Sequence, residues 1–146
     1  MTIKIREPNR VYISAASQEM DRAQAMMGQI AVCPTLTNSH DWTKSFDGPR
    51  IAERDIAPRI RRQFSEADIR GVMRADFFWL LAPGRSDPLL AGYHLYTTKG
   101  AWFELGCADM HRRFRASPVI IVSGEERFQS IFTEVADFFF ETDRIA

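Results

Sequence analysis

"DFFWLLAP", residues Asp76 to Pro83, decides the architecture of this chain. The run opens on a charge and closes on a proline, with nothing polar between. A strand wetted on one face alternates polar and apolar residues, whereas a continuous apolar run suits a strand covered on both faces, as in the middle of a parallel sheet. "SPVIIVSG", Ser117 to Gly124, has the same character. "VYISAA", Val11 to Ala16, is a shorter apolar burst bounded by turn-formers and reads as another buried strand.

The segments between these runs carry helical spacing. In "SQEMDRAQAMMGQI", Ser17 stands where an N-cap belongs, and Met20, Ala23, Met27 and Ile30 recur on one face. "IAVCPTLT" then predicts a second strand around Ala31 to Cys33. "IAERDIAPRIRRQFSEADIRGVMR" reads as a helix interrupted by Pro58, and "AWFELGCADMHRRF" as a helix leading into the "SPVIIVSG" strand. "ADFFFET" predicts a fifth strand, at a sheet edge. This alternation gives a single α/β domain over residues 1–146, with a mostly parallel five-stranded sheet flanked by helices. Ligands of such sheets bind beyond the carboxyl ends of the strands. Here those ends are "SAAS", "PTLTNSHDW", "LAPGRSD" and "SGEERF", rich in hydroxyls, carboxylates and amides.

Composition narrows the function. Nineteen basic residues balance 19 acidic ones, so there is no electrostatic footprint for a nucleic acid polymer or an anionic membrane. The N-terminal stretch is too polar for a signal peptide, and no apolar run approaches membrane-spanning length, which predicts a cytoplasmic protein. Cys33 and Cys107 lie in apolar settings without a CxxC, as expected of reduced thiols. No Walker loop or GxGxxG is present, which argues against a P-loop ATPase or a dinucleotide-dependent dehydrogenase. Cys107 and His111 are four apart on one helix, but no second pair accompanies them, so no metal and no other cofactor is expected. The basic cluster "RIRRQF" reads as a solvated helix face.

The candidate chemistry lies in "KGAWFELGCA", Lys99 to Ala108. On a helix opening near Gly100 or Ala101, the residues three and four from Glu104 are Gly100, Ala101, Cys107 and Ala108, all small, while Trp102, Phe103 and Leu105 point elsewhere. Small neighbours leave space above a carboxylate, and the nearby helix N-terminus favours its ionised form. Close packing of helix on sheet accounts for the same residues equally well.

"VYISAASQEMDRA", "HDWT", "ADFFWLLAP" and "KGAWFELGCA" occur in the order and spacing of the nucleoside 2-deoxyribosyltransferase-like superfamily, which includes nucleotide N-glycosidases. The resemblance runs from Val11 to about Thr142 and implies a flavodoxin-like, Rossmann-like fold and an enzyme that cleaves or transfers the N-glycosidic bond of a (deoxy)nucleoside or its monophosphate. It implies Glu104 as the nucleophile that forms a covalent glycosyl intermediate, and Asp76 as the carboxylate that holds the base or assists its protonation. It implies substrate contacts from Tyr12, from Ser14 to Ser17, from Asp41 and Trp42 walling the pocket, from Pro83 at the end of the third strand, and from the Lys99–Gly100 turn. Two carboxylates in different environments suit the reaction, one capturing the oxocarbenium-like carbon and the other easing departure of the base. Asp76 also suits the plainer task of accepting backbone N–H groups at a strand edge. The chain departs from the pattern in having "SAAS" where many members have a glycine, and in Lys99, a cation that suits a phosphorylated substrate. The resemblance further implies a homodimer or larger homo-oligomer. The other reading is a non-catalytic nucleotide-binding module that keeps the same pocket.

Overall fold

A computed structural model describes residues 7–46, 55–82, 99–124 and 134–145. The strands are β1 (Asn9–Ser14), β2 (Leu36–Asn38), β3 (Phe77–Leu81), β4 (Val119–Ser123) and β5 (Phe138–Phe140). The helices among the described residues are α1 (Met20–Ala31), α2 (Pro58–Arg74) and α3 (Lys99–Arg115). The strands form one sheet in the order β2-β1-β3-β4-β5, and all four pairings are parallel. The sheet is therefore wholly rather than mostly parallel, in the flavodoxin-like order.

The central strands bear out the apolar-run argument. Tyr12 and Ile13 of β1, Phe78 and Leu81 of β3, and Ile120 and Val122 of β4 are all sealed from solvent. Residues 77 to 81 of β3 line up with 119 to 123 of β4, so the two longest apolar runs lie side by side. β5 is a short edge strand, and two of its three phenylalanines are largely exposed.

Three boundaries differ from the sequence reading. The expected strand at Ala31 to Cys33 is instead the end of α1 and its cap. Met26, Met27 and Ile30 complete the buried stripe of that helix, leaving Val32 84% exposed. The second strand lies after Pro34, at Leu36–Asn38, where only half-buried residues pair with Asn9 to Val11. Pro58 does not interrupt a helix but starts one. It lacks an N–H and has φ preset for the first helical position, where no intrahelical donor is needed. Ser17 likewise belongs to a short 3-10 turn, Ser17–Glu19, and α1 begins at Met20 after Glu19, which makes no side-chain capping bond.

Because β2 and β3 flank β1 on opposite sides, right-handed crossovers place α1 on one face and α2 and α3 together on the other. α2 and α3 pack against each other and both touch β1. The chain thus leaves β1 and β3 in opposite directions, which opens a crevice at their carboxyl ends.

A second polar cluster ties the far side of the sheet together. Arg22 of α1 donates to the carbonyls of Ala82 and Ser123 and pairs with Asp143. Trp79 Nε1 donates to Ser123 Oγ at 2.9 Å, and that hydroxyl donates to Asp143. One arginine thereby holds the ends of β3 and β4 and the C-terminal segment in register.

Candidate active site

Tyr12 and Ser14 are two residues apart on β1, so they project from the same face of the sheet. α3 crosses that face and sets Glu104 above both. Tyr12 Oη donates to Glu104 Oε1 at 2.9 Å, and Ser14 Oγ donates to Oε2 at 2.5 Å. Each carboxylate oxygen is held by a hydroxyl from the core side, which fixes the plane of the group. The Tyr12 ring is fixed in turn by stacking on Phe78 of β3, with centroids 5.9 Å apart.

A cavity of about 210 Å³ opens beside Glu104. Gly100 and Phe103 of α3 line it on one side, and Arg61, Phe64, Ser65, Asp68 and Ile69 of α2 on the other. Ile56 and Trp42 complete its wall. Trp42 is buried, and its Nε1 donates to the carbonyl of Ile13 at 2.8 Å, so the indole is anchored rather than free to swing. Aromatic walls, two carboxylates and one guanidinium make a site for a flat, polar ligand of small-molecule size.

The small residues around Glu104 divide between two tasks. Gly100 lines the cavity and leaves it open. Ala101 and Ala108 are buried and let α3 lie close against the sheet. Phe103, expected to point away, instead lines the cavity beside Glu104.

The electrostatics follow from burial. Removal from water pushes the Glu104 carboxyl up to about 7. The bonds from Ser14 and Tyr12 pull it back only in part, and the charge of Asp68 pushes it further up. Burial therefore outweighs any help from the nearby helix N-terminus. Burial, together with the charges of Glu104 and Asp68, raises Tyr12 well above its ordinary value, so it stays a phenol and a donor. Burial also raises Asp68, against the pull of His40, whose Nε2 lies 3.1 Å from Asp68 Oδ1. Near neutral pH Glu104 is divided between its two protonation states.

Asp76, the expected partner of Glu104, does not join this cluster. It stands at the amino end of β3, where its Oδ2 accepts the Arg10 N–H at 2.8 Å and its own N–H bonds the Arg10 carbonyl at 2.8 Å. Arg10 and Ser14 are four residues apart on β1, or about 13 Å at the rise of a strand. Asp76 closes the ladder at the end of the sheet away from the cavity.

The remaining expected residues are spread around the site. Asp41 accepts Thr43 N at 3.0 Å and Thr43 Oγ1 at 2.5 Å, starting the 3-10 turn Trp42–Phe46 that carries the indole. Ser17 lies in the turn after β1. Lys99 opens α3, but its side chain lies outside the described part, as does all of Pro83. His111, half of the weighed metal pair, bonds the Ser117 carbonyl through Nδ1 at 3.0 Å.

The sequence reading missed the α2 contribution. Arg61, Phe64, Ser65, Asp68 and Ile69 recur at helical spacing, yet "RIRRQF" looked like a solvated face because three of its six residues are cationic. The available signal was Asp68 itself, three residues before Gly71 and four before the buried Val72, and so bordering the face that packs inward.

Among solved structures the chain is similar to a 2-deoxyribosyltransferase from the psychrotolerant bacterium Bacillus psychrosaccharolyticus, described as a biocatalyst for nucleoside synthesis. The match has a TM-score of 0.61 over 92% of this chain and 87% of that one, at 12% identity. At that identity the likeness establishes the shared fold. Models of known protein families and curated protein sequences give no match.

Proposed function

We propose that this protein cleaves or transfers the N-glycosidic bond of a (deoxy)nucleoside or nucleoside monophosphate, with Glu104 as nucleophile. The observation that carries the reading is Glu104 itself. It is a half-buried carboxylate gripped on both oxygens by Tyr12 and Ser14, at the wall of a cavity that a second carboxylate, Asp68, also lines. A structural glutamate in a core needs a cationic partner or many donors. This one has two hydroxyls and faces open space.

In the reaction, one Glu104 oxygen bonds C1′ of the sugar as the C1′–N bond breaks, and the bonding pair leaves with the base. Asp68 takes the role expected of Asp76 and gives the departing nitrogen a proton. The intermediate is a glycosyl ester of Glu104, which water hydrolyses or a second base captures. Trp42, Phe64 and Phe103 are the surfaces for stacking the base. Arg61 at the cavity wall is the cation among the described lining residues for a 5′-phosphate, and the resemblance gives Lys99 the same task.

Incubation with a panel of nucleosides and monophosphates, with and without an acceptor base, tests this reading. Free base in water marks a hydrolase, and exchange only with an acceptor marks a transferase. Tight binding with no turnover by the wild-type protein would establish the non-catalytic module instead. Full activity in Glu104→Gln would refute the nucleophile assignment.

The reading includes self-association. Met73, Phe103, Met110 and Phe114 each expose half or more of their surface along a groove of about 550 Å³ where α2 meets α3. A second copy of the chain would cover them, and Phe103 and Ile69 line both this groove and the cavity. Light scattering should give a dimer or larger assembly, and Phe114→Glu should shift it to monomer. A wild-type monomer at high concentration would exclude this assembly. No helix among the described residues is long and apolar enough to cross a membrane.

A further inference from the structure

His40 is not a lining residue of the cavity, yet its contacts hold it against one that is, Asp68. Its Nε2 lies 3.1 Å from Asp68 Oδ1. A Cβ built on Gly71 would stand 2.6 Å from His40 Cβ and 2.9 Å from Tyr12 Cε2, so α2 presses directly on both residues. Ser39, the preceding residue, donates to the Gly71 carbonyl at 2.7 Å and pins the loop to the same turn of α2. Asp68 and Gly71 are three apart on that helix and share its face. The glycine that admits the His40 Cβ and the aspartate that binds its ring are therefore parts of one fitting.

We propose that His40 is a positioning residue that loads, and then replenishes, the proton Asp68 gives to the departing base. The inference rests on the glycosidic reading above and adds to it the source of the proton. Asp68 Oδ1 is engaged by His40, which leaves the other oxygen for the cavity that Asp68 lines. The pair holds one proton before the step. That proton reaches Asp68 from His40 Nε2, and the base nitrogen takes it from Asp68 as the C1′–N bond breaks. The pair ends with a carboxylate beside a neutral imidazole, and His40 regains its proton from solvent. Both side chains are 27% exposed, enough for exchange with water.

The groups around the imidazole suit this cycle. Asp68 faces it from α2. The Tyr12 ring of β1 meets the same Gly71 turn of α2 as His40, and its hydroxyl is bonded to Glu104 of α3. The carboxylate of Asp41, next in the chain, is turned toward Thr43. Arg61 of α2 is the one cation among the described residues that line the cavity. A lone carboxyl facing Glu104 would give its proton to the base with no partner to return it. The imidazole partner returns it at each turnover.

Two measurements test the proposal, the first with His40→Gln and the second with Asp68→Asn. On a monophosphate with an ordinary purine base, turnover should fall about tenfold or more with KM little changed, and the alkaline limb of the pH profile should move down by about one unit. On the N7-methylated purine counterpart, whose base leaves as a neutral molecule without added protons, the variant should stay within about twofold of wild type. Equal slowing of both substrates, or of neither, overturns the proposal. The second measurement needs no turnover: the His40 ring nitrogens are titrated by NMR in wild type and in Asp68→Asn. Loss of the carboxylate should lower the His40 midpoint by about one unit, and an unchanged midpoint overturns the proposal. If the wild-type protein cleaves no member of the nucleoside and monophosphate panel, the glycosidic reading fails and this proton cycle falls with it, while the NMR arm still reports the pair.

Discussion

A carboxyl raised to about 7 by burial lies far from its solution value, and Glu104 therefore couples function to stability. Its folded pKa is above its unfolded value. The folded state thus binds the extra proton between about pH 4.5 and 7 and loses stability as pH rises through that window. Glu104→Gln removes that loss. The variant should match or exceed wild type in thermal stability at pH 8 while its turnover drops about a thousandfold or more. Differential scanning calorimetry beside a base-release assay reads both. Ser14→Ala and Tyr12→Phe push the carboxyl further up, because each removes a donor to the ionised form. The acid limb of the pH–rate profile, set near 7 by Glu104, should move upward by about one unit in either variant. A limb that stays put would show that another group sets it.

At the scale of elements, the helices hold the site through close approach. Gly71 allows α2 to touch His40 and Tyr12, so Gly71→Ala must push the helix off both. We expect a loss of about 1–3 kcal/mol in denaturant unfolding, together with reduced turnover from a displaced Asp68. Ala116, just past α3, has φ of 59° in the left-handed region that favours glycine, and its N–H closes the helix on the Arg112 carbonyl at 2.9 Å. Ala116→Gly should stabilise the fold by about 0.5–1 kcal/mol without touching turnover. The elements that sequence reveals are those with an uninterrupted signal. β3 and β4 are apolar throughout, and α1 carries its stripe from Met20 to Ile30. β2 was misplaced because its three residues, Leu36 to Asn38, are half-buried at an edge and carry no apolar run, whereas "IAV" just upstream does. The Glu104 helix was legible because small residues around one carboxylate are unusual. Asp68 was not, since a charge on a helix rich in arginine looks like surface until the partner helix is placed beside it. Asp76 was drawn into the site by its position before β3, and only the parallel register shows that this is the wrong end of the sheet.

At the scale of the whole molecule, the sheet order creates the crevice, and the Arg22–Asp143 cluster holds the neighbouring strand ends in place. Burial raises Asp143, but the bonds from Arg22 and Ser123 and the charge of Arg22 outweigh it, so the group ends below its ordinary value. A depressed carboxylate contributes stability above its unfolded pKa and loses it as pH falls through the folded one. Asp143→Asn should therefore cost about 2 kcal/mol at neutral pH, with the gap from wild type closing below about pH 4. Thermal melts across pH read the difference directly.

The central claim is that Glu104 bonds the anomeric carbon, and trapping that bond tests it most directly. A substrate with fluorine at C2′ slows both bond making and bond breaking by destabilising positive charge at C1′, so a glycosyl ester accumulates if the ester is attacked more slowly than it forms. Intact-mass spectrometry after incubation, followed by peptide mapping, should find the sugar on the peptide containing Glu104, and no adduct in Glu104→Gln. An adduct on any other residue, or turnover of the unmodified substrate by Glu104→Gln at the wild-type rate, would contradict the account.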